Sequence, residues 1–419
     1  MKIAILGGGI TGLTAAYCLG KKGHQVTLFE KGTVLGGLAV GFKQPDWDWH
    51  LERAYHHLFA NDNDILNFAK EIGFEKIFFR SPETASLYDD LTIHAMDTPI
   101  DFLKFPHLDL FSKLRAGSVL AFLKFSPFLP LFEQLTAEEF IKKTMGQTVW
   151  NRLWKQLFRK KFGDYAGIIL ASFIWARITK RTKNLGYIEG GFQTFINFLV
   201  KKLTGLRVNV LTGYEVKEIK KRGEKYLVNN RQFDIIISTL PTPVMVKLTT
   251  NVFPKNYLRR FSKIKYLHAL TLILETKKSL LDKTYWLNIS APGVPIMGIV
   301  QHTNFIDKKY YGGSHLVYLG WYLKKEDKII QMPDEKLLEY VMPYLKKISP
   351  EFRQNQISNY FTFRAPFAQP VFDKEFLKGK PDFKTPLRNF YIANLDMTYP
   401  YDRGTNYAVK LGKQVAEMI

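Results

Sequence analysis

The chain has 419 residues, about two to three times the usual domain size, and is 46% hydrophobic and 23% charged; this excludes a single small module and a disordered polymer. Cys18 is the only cysteine, which excludes a disulfide framework, a Cys-ligated zinc and an iron–sulfur cluster and fits a reducing cytoplasmic setting. The net charge of +22 points to an anionic partner: nucleic acid, a membrane surface or a phosphorylated substrate.

The opening MKIAILGGG has one basic residue and a very short apolar run, so it reads as a first strand and not as a signal peptide. The strand over 3–6 runs into Gly7-Gly8-Gly9-Ile10-Thr11-Gly12, a helical pattern continues through Leu19 and Gly20, and a second strand over 26–29 ends in Glu30. This is the strand–turn–helix–strand context that the dinucleotide fingerprint requires. Gly7 permits the tight turn, Gly9 lets the backbone approach a pyrophosphate, and Gly12 lets helix pack on strand. The helix N-terminus, through Ile10 and Thr11, offers N–H groups to the diphosphate. Glu30, 18 residues beyond Gly12, can accept both ribose hydroxyls and repels a 2′-phosphate, leaving NAD and FAD as candidates.

Six residues later, in Glu30-Lys31-Gly32-Thr33-Val34-Leu35-Gly36-Gly37-Leu38, stands a Gly-Gly pair. Here the sequence resembles the flavin amine oxidase superfamily, with its protoporphyrinogen oxidases, phytoene desaturases and, more distantly, UDP-galactopyranose mutases. The resemblance implies FAD, with the Gly36-Gly37 turn beside the diphosphate and Lys31 next to the ribose-binding acid; Cys18, inside the first helix, is too far along it for a flavin thioether, so non-covalent binding is expected. Members often carry Arg where Leu38 stands, so a side-chain contact to the diphosphate is in doubt there.

Two distant segments carry the same resemblance. The first runs from Gly186-Tyr187-Ile188-Glu189-Gly190-Gly191-Phe192 through a helix to Leu203, a strand over 208–211, Tyr214-Glu215-Val216 and a strand over 233–238. In relatives the residue at the position of Val216 contacts adenine through its backbone. The second is Phe390-Tyr391-Ile392-Ala393-Asn394 followed by Tyr399-Pro400-Tyr401-Asp402-Arg403-Gly404-Thr405-Asn406. The resemblance implies that the helix opened by Gly404, Thr405 and Asn406 aims its N-terminus at the flavin ring. Relatives carry Gly-Asp or Gly-Glu at Ala393-Asn394, so Asn394 or Asp396 must supply that contact.

The implied architecture is α/β plus α+β. A discontinuous Rossmann-like FAD-binding domain (1–73, 184–248 and 386–419) carries an inserted substrate domain (74–183 and 249–385), a sheet capped by helices. Trp150, Leu153, Trp154 and Leu157 fall on one helical face, strand-like runs occupy 269–274 and 315–321, and a helix spans 334–348.

Three constellations are candidates for chemistry. Tyr55-His56-His57-Leu58-Phe59 is similar to a histidine stretch of the sugar-nucleotide mutases, with His57 as a donor or base near flavin N5 and Tyr55 and His56 lining the site. Arg364, in Phe363-Arg364-Ala365-Pro366, could hold a substrate anion or form a structural salt bridge. Tyr266 and His268 precede a long strand that would wall the cavity. No metal-ligand pattern occurs, and the basic residues do not interleave with aromatics as nucleic-acid binding requires.

The charge is localised: residues 140–183 hold 11 Lys or Arg against Asp164 alone, and 100–135 is dominated by Phe, Leu and Pro. No run approaches the length of a membrane span, but an apolar stretch joined to a basic one suits peripheral contact with an anionic membrane, on its cytoplasmic side. The functional expectation is an FAD-dependent oxidoreductase acting on a lipophilic, isoprenoid- or porphyrin-like substrate. The alternatives are a flavin-dependent sugar-nucleotide mutase, which suits a phosphorylated substrate, and a catalytically degenerate flavoprotein.

Overall fold

The computed structural model describes residues 1–419. Its first sheet is wholly parallel, with the order Val208–Leu211, β2 (Gln25–Phe29), β1 (Lys2–Leu6), Ile235–Ser238 and Phe390–Ile392. β1 is buried from Ile3 to Leu6, as a strand covered on both faces must be, which is why it reads as an apolar run without alternation. Helix α1 (Ile10–Lys21) links β1 to β2 and packs against the C-terminal helix Thr405–Glu417.

The second sheet has seven strands, in the order Ile357–Pro370, Tyr266–Thr276, His315–Leu323, Gly298–Gln301, Thr284–Ile289, Glu83–Leu87 and Ile93–Ala95. It is antiparallel except where Thr284–Ile289 runs alongside Glu83–Leu87. Strand alternation gives it two distinct faces. Leu270, Leu272, Leu319 and Trp321 pack against Leu337, Val341 and Leu345 of helix Asp334–Ile348. Ile273, Val300 and Tyr318 face the other way, into the core shared with β1, β2 and α1. This face of the second sheet is turned toward the first, and the partly exposed Tyr55, His56, His57 and Trp286 lie on that side, along the crevice between the two units.

Most of the expected elements lie where the pattern put them, including Phe192–Leu203, Val208–Leu211 and Asp334–Ile348. Two do not. The strand expected over 233–238 breaks at Asp234, whose carboxylate accepts the Lys2 N–H at 2.7 Å; Phe233 ends the preceding strand, Arg231–Phe233. The helical face expected through Leu157 is turned by a π-helical segment at Trp150–Trp154. The wider turn changes the register, so Phe158 and Phe162 are buried beside Trp150 and Leu153, and Leu157 is not.

The helix pair at the first sheet allows a direct test. A Cβ on Gly412 would stand 2.6 Å from the Thr11 carbonyl oxygen and 2.7 Å from Thr14 Cβ. Helix propensity alone favours Ala over Gly by about 1 kcal/mol, but overpacking against a backbone that cannot move aside costs about 1–3 kcal/mol. Gly412→Ala should therefore lower stability by up to about 2 kcal/mol in denaturant titrations; a raised midpoint would mean that the two helices can part freely.

Candidate functional site

The C-terminal ends of β1 and β2 and of strands Ile235–Ser238 and Phe390–Ile392 meet at one edge of the parallel sheet, and glycines crowd there. A Cβ on Gly12 would lie 2.1 Å from the Gly7 carbonyl oxygen, so only glycine permits the turn. A Cβ on Gly37 would lie 3.1 Å from Gly9 Cα, which holds the Gly36-Gly37 turn against the first loop. Gly9 caps α1 without any side-chain hydrogen bond. The first-turn donors are thus left without side-chain partners, which fits a diphosphate. Glu30 accepts the Gly8 N–H at 2.8 Å on one oxygen and the Gly32 N–H at 2.7 Å on the other, so its carboxylate is fixed beside the cradle. Lys31 and Leu38 are exposed, and Val216 is half-buried in the loop after Val208–Leu211. This donor and acceptor set fits a flavin dinucleotide. Cys18 lies roughly 13 Å along the helix axis from the cradle, and burial pushes its thiol up to about 11, so it supplies no thiolate for covalent attachment.

The chain after Ile392 closes the same edge. Asn394 donates to the Leu240 carbonyl at 3.0 Å and to the Thr242 hydroxyl at 2.9 Å. Asp396 is buried; one of its oxygens accepts from Thr242 and from the Tyr266 hydroxyl at 2.6 Å, and the other has no partner. Burial pushes the Asp396 carboxyl up to about 6. Gly404 caps the C-terminal helix without a side-chain bond, and Thr405 is buried behind it. Asn406 accepts the Ile65 N–H at 3.1 Å and donates to Asp64 at 3.2 Å, pinning this helix to α2 (Asn63–Ile72).

Tyr55, His56 and His57 lie deep in the molecule yet keep some solvent exposure, as residues on a crevice wall do. Tyr55 packs edge-on to Trp286 and Tyr318, and its ring fills the space left by Gly320. The His56 Nδ1–H donates to the Ala54 carbonyl at 2.6 Å, which leaves Nε2 as an acceptor. Burial lowers His56 to about 4 and His57 to about 3. Both rings are therefore neutral at pH 7, the form of His57 that can donate or accept a hydrogen bond. Its Nδ1 has no partner in the chain.

Three expected site residues lie elsewhere. Arg364 pairs in register with Leu270, on the helix-covered face of the second sheet. Its guanidinium is committed to the Ile330 and Met332 carbonyls and to Asp334, so it is the structural salt bridge. Strand alternation puts His268 on the same face as Leu270, beside Phe367 and away from the crevice. Tyr266 serves the Asp396 loop rather than the crevice wall.

The basic segment is also less free than its composition suggests. Lys142, Arg152, Lys161, Arg177 and Arg181 meet Glu138, Asp89, Asp402 and Asp97, and Lys160 donates to the Val294 carbonyl. Two features escaped sequence reasoning. One is the set Lys161, Arg177, Asp402 and Arg403, scattered over three segments, whose only local signal was Asp402-Arg403 just before Gly404. The other is Glu52, which is fully buried and accepts the Tyr187 hydroxyl and the Phe192 N–H, both at 2.7 Å.

Comparisons with known proteins agree with this geometry. Residues 10–419 match the family described as flavin containing amine oxidoreductase. The 15-cis-phytoene desaturase of Synechococcus elongatus is 19% identical over 465 aligned positions, covering 100% of this chain and 96% of that one. Among solved structures, an oxidoreductase from Methanosarcina mazei superposes with a TM-score of 0.78 at 19% identity, covering 100% of both chains. A reduced UDP-galactopyranose mutase superposes with a TM-score of 0.75 at 15% identity, covering 99% of this chain and 94% of that one.

Glu52 yields a pH prediction. Burial pushes its carboxyl from 4.5 up to about 7, against the opposing hydrogen bonds of Tyr187 and Phe192. Between those values the folded chain holds a proton that the unfolded chain has released, so stability falls as pH rises through this window, by on the order of 3 kcal/mol. Glu52→Gln keeps the shape and removes the titration. The variant should match the wild type near pH 4.5 and exceed its unfolding free energy progressively up to pH 8; a difference that does not grow with pH would refute the assignment.

Proposed function

Since the chain belongs to the flavin containing amine oxidoreductase family, we propose that this FAD-dependent oxidoreductase holds its cofactor non-covalently across the glycine cradle and oxidises a lipophilic substrate in the crevice between the two sheets. The observation that carries the reading is the convergence of the Gly7–Gly12 turn, the Gly36-Gly37 turn and the doubly anchored Glu30 carboxylate at one sheet edge. When bound, FAD supplies a hydride acceptor at N5.

The chain's own residues bind, orient and exclude water. First-turn N–H groups of α1 receive the diphosphate, Glu30 accepts the ribose hydroxyls, and the Val216 backbone lies by the adenine. Asn394 and Asp396 support the ribityl side. The N-terminal end of helix Thr405–Glu417, free of side-chain caps, brings partial positive charge to the flavin ring. The neutral His57, with its unpartnered Nδ1, orients substrate or ring by hydrogen bonding. The partly exposed rings of Tyr55 and Trp286, backed by the buried Tyr318, supply an aromatic surface suited to a lipophilic body. A sugar-nucleotide mutase is the second reading, favoured by the cations at the crevice; such an enzyme would turn over only after prior reduction of the flavin.

The reading extends to a membrane surface. No helix is long and apolar enough to cross a bilayer. Yet Leu110, Phe111, Leu114, Phe122, Phe125 and Phe128, on and just after helix Leu110–Phe125, are all at least half exposed. We assign this patch, beside the basic segment 140–183, to an anionic lipid surface.

Purified protein should be yellow and release FAD on heating, and Glu30→Ala should weaken FAD binding by roughly 1–3 kcal/mol, the cost of charge-assisted bonds left unmade. Binding of NAD without flavin would overturn the cofactor assignment. For the membrane contact, the protein should sediment with anionic vesicles at low salt, and replacing Phe122, Phe125 and Phe128 together by Ser should reduce this at least tenfold with FAD content unchanged. Equal sedimentation of the variant would remove the patch from the interface.

A further inference from the structure

We infer that the crevice receives an anionic group of the substrate, a carboxylate or a phosphate on an otherwise apolar molecule, between Lys161, Arg177 and Arg403. The inference rests on the flavoenzyme reading above and narrows its substrate class. The three cations come from separate elements: Lys161 from helix Lys155–Phe162, Arg177 from helix Ser172–Lys180, and Arg403 from the loop before the C-terminal helix. Asp402 is the one carboxylate bonded to them. A single oxygen of it takes Lys161 Nζ at 2.6 Å and Arg177 at 3.0 Å, and the other accepts the Arg403 backbone N–H at 3.1 Å.

The Arg403 guanidinium meets no carboxylate. It donates to Gln369 at 2.9 Å and rests 4.6 Å over the Tyr322 ring. A structural ion-pair latch would be matched in charge; here three cations share one acid. The set lies deep in the molecule, yet the Lys161 and Asp402 side chains keep 14% and 22% exposure and Arg177 keeps 48%. Unbalanced positive charge at such depth is costly unless an anion joins it. Burial lowers Lys161 to about 7 although Asp402 pulls it upward, and lowers Arg403 to about 10; an incoming anion would relieve both.

The surroundings fit an anion attached to an apolar body. Lys161 Nζ also stands 4.8 Å from the Phe173 ring centroid and 5.5 Å from that of Tyr322. Two guanidiniums and an ammonium can grip planar or tetrahedral oxyanions through several charge-assisted bonds at once. Beyond them lies Tyr55, whose charge environment includes Arg403 and Arg177, so the anion site adjoins the same wall as the histidine pair. The substrate would enter with its apolar body along the aromatic face and its anionic end held by Lys161, Arg177 and Arg403.

The test titrates lipid-free holoprotein calorimetrically with decyl phosphate, decanoate and decanol below their micellar concentrations, with inorganic phosphate as competitor. Decyl phosphate or decanoate should bind at least tenfold tighter than decanol, and whichever is preferred names the group; displacement by inorganic phosphate supports the site. Arg403→Gln and Lys161→Met should each cut that selectivity about tenfold. Asp402→Asn should raise it, because it removes the anion that competes for the same cations. Should Lys161→Met melt early, Arg177→Gln, whose side chain is half exposed, carries the same test. Equal affinity for decanol, unchanged selectivity in the variants, or a loss in Asp402→Asn would overturn the proposal. Flavin content is read from absorbance on the same samples: anion selectivity without flavin would defeat the cofactor reading alone, and flavin without anion selectivity would defeat this one alone.

Discussion

Close backbone approach is the constraint on which the cofactor end of the molecule depends. At Gly12 against Gly7 and at Gly412 against Thr11, main chains come nearer than a side chain permits, and at Gly37 against Gly9 a left-handed backbone makes a tight approach that favours glycine. The first contact sets the turn out of β1, the second brings the Gly36-Gly37 loop over it, and the third seats the C-terminal helix on α1. Together they bring donors from the start of the chain and a helix N-terminus from its end to one sheet edge. Each depends on the absence of one carbon atom, so this end of the fold tolerates little substitution even though its hydrophobic packing is ordinary.

The crevice shows a consistent electrostatic pattern. Burial holds His56 and His57 low, near 4 and 3, and holds Asp396 and Glu52 high, near 6 and 7. Desolvation thus pushes four titratable groups toward their neutral forms. Burial acts the same way on Lys161 and Arg403 in the cluster around Asp402, but there cations outnumber the acid. Against a nearly neutral aromatic background, even a modest excess of positive charge dominates the local field.

Much of the parallel-sheet half was legible in the sequence because its determinants are local: glycine spacing, a carboxylate at the end of a strand, an apolar run on either side. Helix Asp334–Ile348 was equally legible, from one amphipathic stripe. The crevice was not. Arg364 sits in a suggestive stretch, but only the pairing register with Leu270 reveals which face it takes; a one-residue shift would have reversed the answer. Glu52 draws its partners from residues 187 and 192, and Lys161 draws its partner from 402. Such long-range pairings leave no periodicity to read. The π-helical segment at Trp150–Trp154 misled for the same reason: a 3.6-residue pattern cannot register an extra residue in the turn.

The strand order of the parallel sheet bears on how the protein must be made. Strand Ile235–Ser238 is paired with β1 on one side and with Phe390–Ile392 on the other, and some 150 residues of synthesis separate it from the second of these partners. Until the last strand emerges from the ribosome, the run Ile235-Ile236-Ile237 is an open, strongly apolar sheet edge, the kind that invites pairing with another chain. The second sheet can be assembled in that interval, since all of its strands precede residue 371. Completion of the parallel sheet is therefore a late event in the life of the nascent chain, and any shortfall of chaperone protection would be felt first at this edge.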